Sequence, residues 1–492
     1  MRTLDDDNTK IDVLRMSNDG FSSRKISATL GIAKSTINYF LARQTYKDWW
    51  ASRKEKPIAS GHYQDHHQHL KKIPGNRFIV TSAQNNTFVH SSFLSALKNM
   101  AEHLNAQIIV GTYSYNRSGF QNAEKGDGDW FDPAIVPYIV DEPAMLANEL
   151  MWCGELNILP TAVNPLSGFQ SYTKGNSGII PHAKVQLESL PYHKGNTPRM
   201  LYTTGTVTQR NYIEKKAGQK ASFHHIFGAL LVEVDSDGDW FVRQLIADSS
   251  GGFQDLDTYY HADGITTNKT VEAINWGDIH VGSIDEGVIF GGFVDSDAML
   301  NVLKPKYQFI HDVFDANARS HHHRNDHHKR FELHVRNRQS VESEIESVAK
   351  FLKMVERNGC DVIVVNSNHD RALKRWLNEA DYRTDYVNAR YFLELQLQVY
   401  RSIEQCRHQS ILEWAVKRIM PELRTRFLDL DESFIICGDE HTGIQCGMHG
   451  DLGISGTKGS PNAFKQMGTR INIGHSHAAQ IIDGVYQAGT CT

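Results

Sequence analysis

The sequence has 492 residues, of which 40% are apolar and 22% charged, and a formal net charge of -5. These values are those of a globular protein of about three domains, and they exclude a disordered, collagen-like or coiled-coil chain. The six cysteines form no CxxC pair, no apolar run is long enough to cross a bilayer, and the start has no apolar signal region. We therefore expect a protein of the reducing cytoplasm that has no membrane partner.

The first 75 residues are basic and predicted to be largely helical. They contain 13 Lys or Arg and 8 Asp or Glu, so this segment carries +5 and the remainder -10. Three short helices are predicted over 11–17, 22–30 and 35–43, with Gly31 at the turn between the second and the third. The apolar positions expected to pack these helices together are Ile26, Leu30, Ile32, Ile37 and Leu41.

Residues 23–37 resemble the homeodomain-like helix-turn-helix of resolvases and transposases. The resemblance implies that a domain at 1–50 binds DNA and places its third helix in the major groove. The local positive charge agrees with this interpretation, and the alternative is a three-helix adaptor that contacts protein. The side chains expected to contact DNA are Lys34, Ser35, Thr36, Asn38, Tyr39 and Arg43.

A linker and a middle region follow. Residues 51–75 are predicted to be a solvated linker, because its four histidines (His62, His66, His67 and His69) do not share one helical face. Residues 76–265 are predicted to be an α/β region, since strand and helix patterns alternate there. The predicted elements are strands at 77–81, 107–113, 135–140 and 156–163, a helix at 91–104 and a hairpin at 229–245. No catalytic motif stands out, so this region has no assigned role.

Beyond residue 270, short apolar strands repeatedly end in Asp, Asn or His. The polar clusters after the predicted strands lie at 278–280, 311–315, 366–370, 449–451 and 474–477, and helices are predicted at 341–357 and 388–418. The carboxyl ends of strands are where α/β sheets gather ligands. We therefore expect these side chains to meet at one edge.

The residue types in these clusters predict a metal site. The sequence contains 25 histidines, and imidazoles with carboxylate and amide oxygens, without thiolates, suit manganese, iron, zinc or magnesium. The candidate ligands outnumber those of one tetrahedral zinc, so two ions that share a bridging carboxylate fit the count. Two such ions commonly activate water against a phosphate ester.

The order of these motifs resembles that of the calcineurin-like metallophosphoesterase superfamily. The matching motifs are Asp-x-His at 278–280, Asp-x-x-Asp at 312–315, Asn-His-Asp at 368–370, His-Gly at 449–450 and Gly-His-x-His at 474–477. The resemblance implies a catalytic domain at 266–492, folded as a sandwich of two mixed sheets flanked by helices. The whole chain is also similar to the pre-early host-DNA-degradation proteins of T5-type phages.

The superfamily implies a role for each matching residue. The ligands of two divalent ions would be Asp278, His280 and His477 at the first, Asn368, His449 and His475 at the second, and Asp312 as the bridge. Manganese is the expected ion, with magnesium, iron or zinc as alternatives. His369 would face the phosphate and protonate or steady the leaving oxygen, and Asp370 would orient it. Asp315 is expected to support the loop that presents Asp312.

Two positions depart from the superfamily pattern, and one basic tract remains open. His311 and Ser367 stand where the superfamily usually has glycine, which affects loop geometry rather than ligand identity. We expect His311 to pack rather than to reach substrate. The tract 320–329 is rich in histidine and has arginines around it. It is either a contact surface for the phosphate backbone or a solvated loop.

Together these features predict a metal-dependent DNase that acts in the cytoplasm of a phage host. A helix-turn-helix would favour DNA, because it raises the local concentration of DNA at the catalytic domain. The alternatives are a phosphoprotein or nucleotide phosphatase targeted by a helix-turn-helix, and a non-catalytic DNA-binding regulator on a retained fold. Superfamily nucleases are often dimers, so the resemblance also allows a homo-oligomer.

Overall fold

The computed structural model describes residues 4, 7–52, 70–115, 130–193, 196–407, 409–430, 432–453 and 456–492. The predicted linker histidines, His62, His66, His67 and His69, lie outside the described residues. The chain divides into two compact units, Met1–Gln186 with Leu190–Thr267, and Leu187–Ser189 with Asn268–Thr492. Among the described residues, no helix combines the length and the apolar character that a membrane crossing requires.

The elements that precede residue 268 are mixed helix and strand. The helices are α1 (Asp7–Asn18), α2 (Ser23–Leu30), α3 (Lys34–Ser52), α4 (Ser91–Leu104) and α5 (Lys216–Phe223). The strands are β1 (Arg77–Gln84), β2 (Gln107–Tyr113), β3 (Pro143–Ala147), β4 (Leu150–Cys153), β5 (Ser177–Ile180), β6 (Leu187–Leu190), β7 (Arg199–Thr203), β8 (Gly228–Val234), β9 (Trp240–Ile246), β10 (Phe253–Asp255), β11 (Thr258–His261) and β12 (Gly264–Thr266).

Helices α1 to α3 form the predicted helix-turn-helix. The Ser22 side chain accepts a hydrogen bond from the backbone N–H of Lys25 and so caps α2. Gly31 ends that helix with a left-handed φ of 68°, a conformation that glycine adopts at no steric cost. The buried core is Val13, Ile26, Ile32 and Ile37, with Leu30 and Leu41 packed beside it.

Helix α3 is longer than predicted and packs against the α/β part of its own unit. The prediction ended at residue 43, whereas the helix continues to Ser52. Ala42 is 1% exposed and belongs to the same hydrophobic cluster as Phe93 and Trp130. The ring of Tyr39 meets that of Trp130 edge-on at 5.3 Å between centroids. The helix is therefore attached to the α/β core through Tyr39 and Ala42.

The α/β part contains three sheets within the first unit. One has the order β2-β1-β8-β9, in which β1 and β2 are parallel and joined by α4, and β8 and β9 form the predicted hairpin. A second contains the neighbouring strands β7, β5, β4 and β3, and a third contains β10 to β12. The predicted helix at 91–104 and strand at 107–113 are confirmed with the same limits.

Two predicted strands of the middle region are wrong, and each contains a proline. Residues 135–140 form a 3-10 turn over Val136–Tyr138, because Pro137 cannot donate to a ladder. Residues 156–163, which include Pro160, form turns, with the N–H of Ala162 donating to the carbonyl of Leu159. The strands of this region lie at β3, β4 and β5 instead.

The second unit contains eight of the described α-helices. They are α6 (Glu286–Ile289), α7 (Met299–Leu303), α8 (His327–Val335), α9 (Val341–Val355), α10 (Ala372–Glu379), α11 (Ala389–Glu404), α12 (Ile411–Ile419) and α13 (Pro461–Phe464). The strands after residue 267 are β13 (Ala273–Asp278), β14 (Tyr307–His311), β15 (Asp361–Val364), β16 (Arg426–Phe427), β17 (Ile435–Ile436), β18 (Ile444–Gln445), β19 (Arg470–Ile473), β20 (Gln480–Ile482) and β21 (Val485–Gln487). The helix predicted at 388–418 is two helices, α11 and α12.

Two sheets pack face to face in this unit. Strands β13 to β16 form a parallel sheet, and the second sheet runs β17-β18-β19-β21-β20-β6 with mixed directions. Phe309 and Ile363 of the first sheet share a core with Ile436 and Cys446 of the second. The mixed α/β character is as predicted, but the first sheet is wholly parallel rather than mixed.

Helices cover both outer faces of the two sheets. The largest core of the unit joins the parallel sheet to α9, α10, α11 and α12, and Phe464 of α13 packs on Ile471 and Val485 of the second sheet. The parallel sheet is thereby buried on both faces, as parallel sheets usually are. Its carboxyl-terminal edge is left for polar side chains.

Candidate metal centre

The side chains predicted to bind metal lie at the ends of five strands. Asp278 is the last residue of β13, and Asp312 follows the last residue of β14. Asn368 lies four residues beyond β15, His449 follows β18, and His475 follows β19. Because β13, β14 and β15 are parallel neighbours, their carboxyl ends meet at one edge.

Three overlapping groups of side chains could hold a metal ion. They are Asp278, His280 and His477; His280, Asp312 and His369; and Asp278, Asp312 and His449, with the ligand atoms of each group within 4.8 Å of one another. Imidazole and carboxylate ligands suit a divalent ion such as manganese, iron, zinc or magnesium. Asp278 and Asp312 belong to two groups each, and so does His280.

The two remaining predicted ligands lie beside these groups. The Oδ1 atom of Asn368 is 3.0 Å from Nε2 of His449 and 3.1 Å from Nδ1 of His475. The backbone N–H of His475 donates to Oδ1 of Asp278 at 2.9 Å. The structure thus brings all the predicted ligands to one place.

The two central carboxylates each retain a buried oxygen without a hydrogen-bond partner. Asp278 is 0% exposed and Asp312 is 2% exposed, and the oxygens concerned are Oδ2 of Asp278 and Oδ1 of Asp312. An unpaired carboxylate oxygen shielded from water is costly unless a cation or a donor reaches it. The donor set therefore fits a bound divalent cation.

Three of the ligand positions have a left-handed backbone. The φ angles are 49° at His280, 45° at Asp312 and 68° at His475. Residues other than glycine rarely adopt this conformation, and such positions cluster at functional sites. The backbone N–H of His280 donates to the carbonyl of Asp312 at 2.8 Å, which joins two of these turns.

Asp315 orients His280 directly, a role that the sequence analysis assigned only to loop support. Nδ1 of His280 lies 2.7 Å from Oδ1 of Asp315, and the Ser283 hydroxyl donates to Oδ2 of the same carboxylate at 3.2 Å. When Nδ1–H of His280 donates to Asp315, Nε2 of His280 is free to bind a metal ion together with the other candidate ligands. A carboxylate behind a metal-binding histidine commonly fixes the tautomer and the ring in this way.

His311 packs as predicted and also orients His449. It is fully buried, its Nε2 lies 3.0 Å from Oδ1 of Asn275, and its Nδ1 lies 3.3 Å from Nδ1 of His449. Burial and the nearby His449 lower the pKa of His311 to about 3, so its ring is neutral. When Nε2 donates to Asn275, Nδ1 accepts from His449, whose Nε2 then faces the oxygens of Asn368 and Asp312.

Charges at the centre shift the ionisation of its groups in opposite directions. Burial would lower the pKa of His449, but the hydrogen bond and charge of Asp312 outweigh it and raise that pKa. Burial would raise the pKa of Asp312, but the contact with His449 outweighs it and holds that pKa below its ordinary value. The same negative field that favours a proton on His449 favours a metal cation.

His369 lies at the centre, but Asp370 does not orient it. Nδ1 of His369 is 3.2 Å from the backbone carbonyl of Asp315, and its ring meets that of His280 edge-on at 4.8 Å. The carboxylate of Asp370 instead accepts a hydrogen bond from the backbone N–H of Phe314 at 3.1 Å. Burial and the charge of Asp312 raise the pKa of Asp370 to about 7. The prediction that Asp370 orients His369 is therefore wrong, and the backbone carbonyl of Asp315 orients His369 instead.

Two supporting contacts were not anticipated from the sequence. The side chain of Glu344 accepts the backbone N–H groups of Asn317 and Ala318 at 2.8 and 3.0 Å, which holds the loop after Asp315. Arg371 forms an ion pair with Asp451, two residues beyond His449. The sequence signal for both is weak, because the partners lie far apart along the chain.

The residues predicted to contact DNA are not all available on one face. Lys34, Ser35 and Thr36 are exposed at the start of α3, and Asn38 and Arg43 are half-buried. Tyr39 is 46% exposed but packs against Trp130. The exposed part of the predicted DNA-contacting surface is therefore the first turn of this helix.

The histidine-rich tract forms a 3-10 turn and the start of α8. The turn is His321–His323, and α8 begins at His327. Within the described part of the chain, this tract contributes to none of the groups of three metal ligands. Of the functions considered for this tract, contact with an anion such as a phosphate is therefore the one that stays a prediction.

Comparison with known proteins supports a phage relationship. The chain is 40% identical over 447 residues to Protein A1 of Escherichia phage T5. The matched region covers 88% of this chain and 79% of that protein. The chain belongs to the Protein A1 family. No family model matches the sequence, and no solved structure matches it. The phage relationship expected from the sequence is thus confirmed.

We predict that Gly474→Ala weakens metal binding while the fold is kept. A Cβ at residue 474 would collide with Oδ1 of Asp278 and lie 2.9 Å from Cβ of His311, so the Asp278 carboxylate must move. Isothermal titration with Mn²⁺ should show an affinity lower by about ten-fold or more, equivalent to about 1.4 kcal/mol. The control is Gly291→Ala, where an added Cβ meets nothing within 4 Å. Equal Mn²⁺ affinity in wild type and Gly474→Ala would contradict the prediction.

We predict that Glu344 makes stability depend on pH. Burial raises its pKa to about 7, above the ordinary 4.5, although the two backbone N–H groups oppose this. The folded protein therefore binds this proton more tightly than the unfolded chain, and its stability falls as the pH rises from about 4.5 to about 7.

In Glu344→Gln, this pH-dependent loss should disappear. Relative to wild type, the free energy of unfolding of the variant should rise by about 1–2 kcal/mol between pH 5 and pH 8, as measured by urea unfolding. Glu346→Gln on the same helix should show no such change. A difference between Glu344→Gln and wild type that is constant with pH would refute this.

Proposed function

We propose that this protein is a metal-dependent nuclease that hydrolyses phosphodiester bonds of DNA. The observation that carries the proposal is the gathering of the other five predicted ligands around two buried carboxylates, Asp278 and Asp312, that have unpaired oxygens. The exposed, basic start of α3 supports DNA as the substrate. The resemblance to host-DNA-degradation proteins of T5-type phages supports action inside a host cell.

Two divalent ions, with Mn²⁺ as the first choice, fit the ligand set. Asp278, His280 and His477 would hold the first, and Asn368, His449 and His475 the second, with Asp312 shared between them. When bound, such ions lower the pKa of a coordinated water and offset the charge of the phosphate. Magnesium, iron or zinc would suit the same oxygen and nitrogen ligands.

His369 would donate a proton to the leaving oxygen. Its Nδ1 is held by the carbonyl of Asp315, so Nε2 is the atom that can donate to a bound phosphate ester. The side chain is half-buried, and its ring lies beside that of His280. General acid catalysis by a positioned histidine contributes about 10²–10⁴-fold to a rate.

The helix-turn-helix would bring DNA to the protein. Lys34, Ser35 and Thr36 are exposed at the N-terminal turn of α3, and the N-terminal residues of a recognition helix are those that contact base edges and phosphates. Contact with the phosphate backbone supplies much of the affinity for DNA and makes it depend on salt.

We predict that His369→Ala abolishes turnover and keeps the metal ions. With Mn²⁺, hydrolysis of duplex DNA should fall by about 10²–10⁴-fold, because the leaving oxygen loses its proton donor. Metal content, measured by plasma mass spectrometry, should match wild type. His441→Ala, which changes an exposed histidine outside the histidine-rich tract, is the matched control and should cleave DNA normally.

The same assay separates the proposal from its alternative. Wild-type protein is offered duplex DNA, a phosphopeptide and a nucleoside monophosphate under identical conditions. Hydrolysis of the phosphopeptide or the monophosphate without cleavage of DNA would favour a phosphatase and refute the nuclease. Unchanged DNA cleavage by His369→Ala would refute the role given to His369.

We predict that Lys34→Glu weakens DNA binding without changing the chemistry. Fluorescence anisotropy at fixed salt should give a Kd for duplex DNA that is higher by about ten-fold, because a phosphate contact becomes a repulsion. Hydrolysis of bis(p-nitrophenyl) phosphate should be unchanged. Lys216→Glu makes the same charge change at an exposed site of α5 and should leave the Kd near wild type. Equal effects of both substitutions would show a general charge effect and no role for the helix.

A further inference from the structure

A cavity of about 320 Å³ lies in the second unit, between two segments that leave the metal centre. One wall is formed by residues 317–333, and the other by residues 372–385. The first segment begins two residues after Asp315, and the second begins three residues after His369. Both walls of the cavity are therefore formed by segments that directly follow residues of the proposed site.

The cavity combines an apolar floor with a basic rim. Its apolar lining consists of Ala318, Leu333, Ala372, Trp376 and Ala380, and its arginines are Arg319, Arg324, Arg330 and Arg375. The volume is at the small end of the range for ligand pockets. A lining of this kind suits a ligand with one flat apolar part and one anionic part.

Most charges around the cavity are already balanced. Arg319 is paired with Asp385, and Asp381 is paired with Arg383. Arg375 lies 4.0 Å from Glu379 and donates to Nε2 of His321 at 2.8 Å. Each acidic group of the lining thus has a basic partner.

Arg324 and Arg330 are different. Both are exposed and line the cavity, and neither forms an ion pair with any of the residues that the structure describes. Two unpaired guanidinium groups on one rim attract an anion, and their planar donors match the oxygens of a phosphate. The tract predicted as either a phosphate contact or a solvated loop therefore carries unbalanced positive charge at a cavity.

We propose that this cavity binds one nucleotide of a nucleic acid strand. The phosphate would lie between Arg324 and Arg330, and the base would lie against the apolar lining at Leu333 and Trp376. Apolar contact with the base, together with basic side chains on the phosphate, is a common way to hold a single-stranded nucleotide. The inference rests on the proposed function, since it gives the nuclease a subsite for a nucleotide near the cleaved bond.

The test is direct binding of thymidine monophosphate to the full-length protein in the presence of EDTA. Removing divalent ions prevents the metal centre from holding the phosphate. Isothermal titration calorimetry should show binding, and the double variant Arg324→Ala/Arg330→Ala should raise the Kd by about ten-fold or more. Arg336→Ala, an exposed arginine of the same region paired with Glu332, should stay within about two-fold of wild type.

Two smaller ligands define the chemistry of the site. Thymidine and inorganic phosphate should each bind at least about ten-fold more weakly than thymidine monophosphate, because each lacks one of the two contacts. Equal affinity for phosphate would overturn the assignment of a nucleotide, and equal affinity for thymidine would overturn the role of the arginines. Absence of binding to wild type, or equal weakening in Arg336→Ala, would also overturn the proposal.

The outcome is separable from that of the proposed function. DNA cleavage without binding of thymidine monophosphate would reject the subsite and leave the nuclease. Nucleotide binding that depends on the two arginines, in a protein that cleaves no DNA, would support the subsite as a binding site and reject the nuclease. Thermal unfolding of the double variant should match wild type, since both side chains are exposed.

Discussion

The arrangement of the second unit depends on the burial of two carboxylates, Asp278 and Asp312. A charge removed from water must be balanced by neighbouring groups, or the folded state becomes very costly. His449 Nε2 lies 3.4 Å from Oδ2 of Asp312, and His477 Nε2 lies 3.7 Å from Oδ2 of Asp278. Strands of both sheets must therefore end at the same place, because the carboxylates come from one sheet and these histidines from the other.

A second set of contacts holds these side chains in position. Asp315 fixes His280, and His311 fixes His449, so each of these two histidines presents Nε2 to the centre. His311 and Asp315 flank Asp312 in the same loop, which links the orientation of two ligands to a short stretch of chain. The loop is itself held by Glu344 and by the contact between Asp370 and Phe314. In this loop, the placement of the ligands depends on buried polar groups.

The sequence was most informative where local signals and burial agree. The serine cap and Gly31 mark α2, and apolar strands followed by Asp or His mark the ligand positions, because parallel strands place their carboxyl ends together. The predictions of strands at 135–140 and 156–163 were wrong because each apolar segment contains a proline. Proline has no backbone N–H to donate to a neighbouring strand. The partners of Asp370 and Glu344 could not be predicted, since they are backbone groups brought close only by tertiary packing. Arg324 and Arg330 became distinctive only when the structure showed that their neighbours were already paired.

The contact between α3 and the α/β core has a thermodynamic consequence. Ala42 is buried in the same cluster as Phe93, and Tyr39 lies on Trp130, so the helix that would read DNA is also part of the wall of a hydrophobic core. Any ligand that binds only the folded helix-turn-helix adds its binding free energy to that of the folded state. Because the two parts share this core, occupancy of the helix would also raise the melting temperature of the sheet beneath it. If the helix binds DNA as proposed, recognition and folding of this unit would be a single coupled equilibrium.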